Sequence, residues 1–359
     1  MLRFYRKLCK SISFTTFAAM DSLTQIVLGA ACGEIALGKK IGNKALLFGA
    51  IGGTIPDLDV FVGNLFYSNS IDQMLFHRGF MHSIPFAIIA SLIFGFLIFK
   101  LYNSGNRFET TTLKDWTRLF FLSIFTHPIL DCFTPYGTQL FAPFSDYRVA
   151  FNNISVVDPL YTLPFLFCLI VVLFFKRNNP KRIKWTKAGI YISSFYMLFT
   201  LANKLYIDAV FKKSFENAHI SFERYRTQPT ILNNFLWYGI AETKENYKIA
   251  YYSIFDKSAT ANAFITVPKN TSLLNSNDPD LLKLNWFSDD YFMIEKKEHP
   301  TRIIYNDLRY VMISPKDTVT SVMNFEIIKK GSRLETKPST NFNPSDGFFK
   351  TFWNRIKGI

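Results

Sequence analysis

The stretch His77-Arg78-Gly79-Phe80-Met81-His82-Ser83, running into the apolar segment Ile84 to Tyr102, decides how the rest of the chain is read. The segment Ile84 to Tyr102 is long enough to span a bilayer, which takes roughly 17 to 25 apolar residues. Immediately before it, two imidazoles flank a glycine turn. Ligands for a metal would thus stand where water meets an apolar helix. Further apolar runs occupy Leu119 to Leu130, Leu160 to Phe175 and Ala188 to Ile207. Ser22 to Leu37 and Ala45 to Ile55 are shorter, and Gly29 and Gly33, then Gly49 and Gly53, are spaced four apart, which lets helices pack closely in lipid. A buried helical hairpin in a soluble core is the competing reading. With 49% hydrophobic and 17% aromatic residues, the composition favours the membrane.

The net charge of +14 raises the question of a nucleic-acid partner, and the placement of the charges answers it. Of the 20 Lys and Arg up to residue 207, thirteen fall in three short stretches around 39–44, 100–118 and 176–187. A basic excess in short loops is retained in the cytoplasm, so topology accounts for the charge without nucleic acid. Threading about five to six membrane-embedded helices on that rule predicts a multi-pass protein of the bacterial inner membrane. Residues 56–83, 132–158 and everything after 208 then lie on the opposite, extracytoplasmic side. The rule is strained at Arg3, Arg6, Lys7 and Lys10, and a start at Met20 would relieve it, making residues 1–19 an N-terminal extension or a cleaved leader. Cys9, Cys32, Cys132 and Cys168 show no paired spacing and read as small buried hydrophobes.

After residue 208 the pattern changes to short alternating runs, among them Tyr247 to Phe255, Ala261 to Val267, Arg302 to Ile313 and Ser321 to Ile328. These predict a soluble, mostly β domain. The expected organisation is therefore an extension over 1–19, a mostly α membrane-embedded bundle over 20–207, and the β domain over 208–359.

The acidic residues and histidines of the first part are not scattered. Asp21, Asp57, Asp59, Asp72, Asp131, Asp146 and Asp158, with His77, His82 and His127, all fall on the side that the lysines and arginines avoid. Ionisable groups at membrane depth are costly and read as functional. In Pro56-Asp57-Leu58-Asp59 the proline ends a helix and two carboxylates can turn toward one cation. In His127-Pro128-Ile129-Leu130-Asp131, positions i and i+4 share a helix face, as in zinc-binding HExxH helices. An Asp–His bond stabilising a helix end is the bland alternative. Asp158, before Pro159, is equally a ligand or an N-cap. Arg78 and Arg148 would suit a phosphate or carboxylate beside a metal, or serve as salt-bridge partners of Asp72 or Asp146.

These motifs resemble the bacterial membrane-bound metal-dependent hydrolase family called YdjM-like, with its pattern MDxxTH or MDxxTQ, PDxD, HRGxTHS, HxxxDxxTxxG, PF and DPL. The corresponding residues run from Met20-Asp21-Ser22-Leu23-Thr24-Gln25 through Pro56 to Asp59, His77 to Ser83, His127 to Gly137 and Pro143-Phe144 to Asp158-Pro159-Leu160. Gln25 stands where many relatives have histidine, and Met81 where they have threonine. The family is in turn distantly similar to zinc-dependent phospholipase C and the P1-type nucleases, which hydrolyse phosphoesters.

Residues and resemblance together lead us to expect one or two divalent ions, zinc or manganese, on Asp57, Asp59, His77, His82, His127 and Asp131, with Gln25 as a weaker ligand or supporting group. Asp57 or Asp158 is the expected general base and Arg78 the group that steadies developing charge in a phosphoesterase reaction. A lipid or lipid-linked substrate follows from a site at the membrane surface. The rival classes are a non-catalytic membrane scaffold and an ion transporter, for which Glu34 is the one acidic group within a proposed span.

Overall fold

In the computed structural model of the chain, residues 14–269, 278–296, 302–312, 319–330, 333–339 and 348–359 are described. The backbone divides into two compact units, one of residues 18–67 and 73–201, the other chiefly of 68–72 and 202–359. Residues 1–13, most of the expected extension, and Cys9 with them, lie outside the described residues.

The first unit is helical. Helix α1 (Phe14–Ile41) and α2 (Asn43–Thr54) form a tight hairpin, followed by a 3-10 turn (Pro56–Leu58), α3 (Asp59–Phe66) and α4 (Ser70–Phe76). A second 3-10 turn (Phe80–His82) leads into α5 (Ile84–Tyr102), then α6 (Leu113–Asp131), α7 (Pro159–Leu173) and α8 (Lys181–Asn217). Small residues set the α1–α2 distance. A Cβ on Gly29 would lie 2.4 Å from the Gly49 carbonyl oxygen, and one on Gly33 only 2.1 Å from that of Ala45. Trp116, Leu119, Phe120 and Ile124 of α6 pack with Ala87 and Ala90 of α5 and with Leu37 and Ala45. Val27, Ala31 and Leu46 pack with Phe165, Leu169 and Val172 of α7.

The expectation of five to six membrane-embedded helices is not met. Among the described residues only Ile84–Tyr102 is long and apolar enough to cross a bilayer, and Asn43–Thr54 with Pro56–Phe66 passes the same test only as a pair bent by 45°. The reason lies in what interrupts the other runs. Helix α6 carries Lys114, Asp115, Arg118, His127 and Asp131, α7 is 15 residues long, and Ser193, Ser194, Thr200, Asn203 and Lys204 are interleaved in the run within α8. The multi-pass inner-membrane topology falls with that count, and so does the sidedness deduced from it. Helix α5 does present a broad apolar surface, with Ile88, Ile89, Leu92, Ile93, Phe96, Leu97 and Leu101 exposed. Glu34, on which a transport reading depends, is locked by Arg182, whose Nε and Nη2 donate to its two carboxylate oxygens at 2.9 and 2.6 Å.

Among its described residues the second unit contains two four-stranded antiparallel sheets, neither of which closes into a barrel. One runs β1 (Arg224–Pro229), β2 (Leu236–Glu242), β3 (Asn246–Ser253), β4 (Ile265–Pro268) in order, and the other joins Arg333–Ser339, Asn324–Lys330, Arg302–Asp307 and Phe292–Lys296. Ile207, Phe211 and Phe215 at the end of α8 pack on Trp237, Ala250 and Tyr252. The short segment 68–72 belongs here too: Asn69 Nδ2 donates to the Asp280 carboxylate at 3.0 Å, and Lys283 pairs with Asp72 at 2.5 Å.

Candidate metal centre

Four chain segments of the helical unit deliver the site. Helix α2 stops at Thr54, and Pro56, which has no N–H to give, opens the 3-10 turn carrying Asp57. Asp59 begins α3. Gly79 opens the turn that ends in His82, after which the Ser83 hydroxyl caps α5 by accepting from the Phe86 N–H at 3.2 Å. His127 and Asp131 lie on the last turn of α6. Gly137, at φ +76, takes the left-handed turn that brings residues 138–149 back on themselves, and a Cβ there would crowd Arg148 and Ala150 at 3.2 Å.

Two overlapping groups, Asp57-His77-His82 and His82-His127-Asp131, can hold a metal ion. The shortest distances single out four atoms. His82 Nε2 lies 3.1 Å from His127 Nε2, 3.4 Å from Asp57 Oδ1 and 3.5 Å from Asp131 Oδ2. His127 Nε2 lies 3.3 Å from Asp57 Oδ1 and 3.4 Å from Asp131 Oδ2. Those five distances define two nearly equilateral triangles of ligand atoms, 3.1–3.5 Å on a side, that share the His82–His127 edge, with Asp57 Oδ1 at the apex of one and Asp131 Oδ2 at the apex of the other.

The outer contacts explain why these atoms point inward. His127 Nδ1 donates to the Gly53 carbonyl at 2.6 Å, which leaves Nε2 as the ring's bare nitrogen. His82 Nδ1 is 3.0 Å from Asp59 Oδ2, a charge contact that misses hydrogen-bond geometry. With the His82 proton on Nδ1, facing the Asp59 carboxylate, its Nε2 would also be bare, and two lone pairs would then face each other at 3.1 Å among carboxylate oxygens, an arrangement that repels unless a cation or proton sits between them. Asp131 Oδ1 accepts from Gln25 Nε2 at 2.8 Å and lies 3.4 Å from Arg78 Nη2, whereas its Oδ2, fully buried, has no hydrogen-bond partner. Asp57 Oδ2 accepts from the Ser22 hydroxyl at 3.1 Å.

Charge points the same way. Asp57, Asp59 and Asp131 against Arg78 leave this small cluster at a formal −2 with neutral imidazoles. Buried unpaired charge costs several kcal/mol, and one divalent cation would cancel it. Without a cation, protons take that role. Burial lowers the His82 and His127 basicities, but Asp59 and Asp57 for the first, and Asp57 and Asp131 for the second, raise both above the usual value. Burial works against the Asp131 carboxylate too, yet Arg78 and His127 hold it down at about 2.

The other expected site residues occupy distinct places. Asp59 is fully buried with both oxygens engaged, Oδ1 by His77 Nδ1 at 2.8 Å and Oδ2 by the Arg78 N–H at 2.9 Å as well as His82. His77 is partly exposed, within 4.8 Å of Asp57 and His82 through a ligand atom of each. Arg78 is buried at φ +60, its Nη1 donating to Thr134 at 2.8 Å and its guanidinium 5.0 Å over the Tyr136 ring. Arg148 Nη2 donates to the carbonyls of Leu75 and His77. Asp158 caps α7, accepting from Leu160 N at 2.9 Å and from the Tyr196 hydroxyl at 2.9 Å. The Asp21 side chain lies outside the described residues. Cys132 donates to the Pro128 carbonyl, and burial pushes its thiol up to about 12, far from a metal-binding thiolate. Sequence reasoning passed over Ser22 and the Gly53 carbonyl; the first stands inside a quoted motif, and the second carries no side-chain signal at all.

A helical unit with a buried His/Asp cluster competent to bind a metal ion is thus the class that fold and site define. The family described as YdjM inner membrane protein matches residues 20–207, over half of the chain, and the chain belongs to it. It is also 31% identical over 159 residues to the uncharacterized protein YfhP of Bacillus subtilis (strain 168), a match covering 42% of this chain and 46% of that protein. The match therefore spans less than half the length of that relative. No solved structure matches.

Proposed function

We propose that the protein is a metal-dependent hydrolase in which Asp57, His82, His127 and Asp131 hold one divalent ion, zinc by geometry, and that it acts on a phosphoester. The carrying observation is the pair of nearly equilateral triangles of ligand atoms that share the two imidazole Nε2 atoms. Ligand atoms bound tetrahedrally to zinc at about 2.0–2.1 Å stand about 3.3–3.4 Å from one another, and the five spacings here are 3.1–3.5 Å. Manganese, by contrast, prefers six oxygens. When bound, such an ion supplies a Lewis acid that lowers the pKa of water toward roughly 7.

The chain's own groups arrange the rest. Asp59 and the Gly53 carbonyl orient the two imidazoles, and Gln25 and Arg78 fix Asp131. Gln25 in this reading donates to the centre's carboxylate and does not ligate, and Asp59 and His77 support the site from outside. Arg78 positions Asp131, and Asp158 serves as a helix cap. The inner-membrane description of the family and the exposed apolar helix that begins two residues after His82 support a lipid or lipid-linked phosphoester as substrate. The distant similarity to zinc-dependent phospholipase C and P1-type nucleases supports the same choice of bond.

The test is metal content of detergent-purified protein by elemental analysis, in wild type and in His82→Ala, His127→Ala. One equivalent of zinc in the first and none in the second is expected, followed by hydrolysis in a screen of phosphodiesters and phospholipids. Metal-free wild type after metal-replete growth would overturn the reading and favour a scaffold.

A further inference from the structure

Four protein ligands close a tetrahedral site, and closed sites are structural; catalytic zinc keeps a position for water or substrate. The four ligands here are unequal in a way that resolves the conflict. His82, His127 and Asp131 are at most 1% exposed, whereas the Asp57 side chain is 21% exposed. His127 and Asp131 stand four apart on the last turn of one helix and share its face. Asp57 stands on the 3-10 turn at the 45° break between α2 and α3, where a small backbone adjustment swings its carboxylate. The other partly exposed group is His77, at 12%, with a ring nitrogen within 4.8 Å of the ligand atoms of Asp57 and His82. Solvent therefore reaches the centre along the Asp57 and His77 side.

We propose that Asp57 is the exchangeable ligand: it leaves the ion to admit an oxyanion, while His82, His127 and Asp131 retain the ion and His77 lines the entry. Charge makes the exchange easy. A singly charged oxyanion, such as a phosphodiester, replaces one carboxylate at the ion, so the buried centre keeps its balance while the freed carboxylate turns to the solvent it already touches. The Ser22 hydroxyl, at 3.1 Å from Oδ2, biases Asp57 toward the closed position. This inference rests on the hydrolase reading and specifies how that site opens.

The experiment uses full-length protein loaded with cobalt(II), whose visible absorption reports coordination, titrated with inorganic phosphate. Wild type should take up one equivalent of cobalt and change its spectrum with phosphate. Asp57→Ala should still hold one equivalent and bind phosphate at least about tenfold more tightly, since an intramolecular competitor is gone. Ser22→Ala should keep full metal and bind phosphate more tightly than wild type. Asp131→Ala should be empty. A folded Asp57→Ala as empty as Asp131→Ala, or spectra indifferent to phosphate, would overturn the inference alone. Should Asp57→Ala fail to fold, Ser22→Ala decides: unchanged phosphate affinity overturns the proposal. Wild type unable to bind cobalt overturns this inference and the function beneath it.

Discussion

Asp59→Asn tests the architecture of the centre at a residue that touches no ion in the proposed arrangement. The carboxylate faces three groups at once: His77 Nδ1 at 2.8 Å, the Arg78 N–H at 2.9 Å and His82 Nδ1 at 3.0 Å. Asparagine is nearly isosteric but keeps one acceptor oxygen: an N–H₂ in the Oδ2 position meets the Arg78 N–H donor against donor and turns a donor toward His82, and one in the Oδ1 position forces the His77 proton from Nδ1 to Nε2. Either way a contact is lost or inverted, and the cluster loses one negative charge. Groups that hold the far ring nitrogen of a metal-bound histidine are worth roughly 10–100-fold in affinity, about 1.4–2.7 kcal/mol. The expected result is zinc affinity lowered by that factor with the fold retained, measured by competition against a chromophoric chelator. An affinity within about threefold of wild type would show that Asp59 does not orient His82 and would refute the outer-shell assignment.

Further predictions separate the roles of neighbouring groups. Asp158→Ala removes the α7 cap and should lower stability by about 0.5–2 kcal/mol while leaving metal content and activity per folded molecule unchanged; loss of turnover in folded protein would restore it as a base. Gly33→Ala drives a methyl to 2.1 Å from the Ala45 carbonyl oxygen and should destabilise the helical unit by about 1–3 kcal/mol or more, read as a lowered melting temperature in detergent. Metal affinity should fall with acid, because the ion must displace protons that His82 and His127 bind above their usual pKa; a flat affinity between pH 8 and about 6.5 would contradict the cluster. In the cation-free protein the sign reverses: these raised histidines stabilise the fold fully below their unfolded pKa, and that contribution is lost as pH rises through the folded values. Thermal melts with and without chelator should therefore diverge as pH increases, and parallel curves would count against the linkage.

Much of the centre was written in local spacing. His127 and Asp131, four apart on a helix, had to share a face, and His77 to Ser83 announced a glycine turn entering an apolar helix. The same alternation rule found strands that became β3 and β4. The glycine pairs foretold the close α1–α2 approach, because only a residue without Cβ allows backbone to meet backbone.

Other features needed the folded chain. Asp57 and Asp59 look interchangeable in sequence, two carboxylates in one turn, yet one faces the Nε2 atoms of His82 and His127 and the other the Nδ1 atoms of His77 and His82, because a 3-10 turn and a helix start point them differently. The Gly53 carbonyl that sets the His127 tautomer is main chain, and no side-chain pattern encodes it. The number of membrane spans was misread for a related reason: an apolar run records composition, while crossing a bilayer also requires unbroken length and few interrupting polar groups, and only α5 among the described helices combines them on its own. Sequence alone picked out the histidines and carboxylates that could ligate a metal and roughly where along the chain they stand. Tertiary structure decided which atoms converge, since convergence depends on distances between segments that no local spacing fixes.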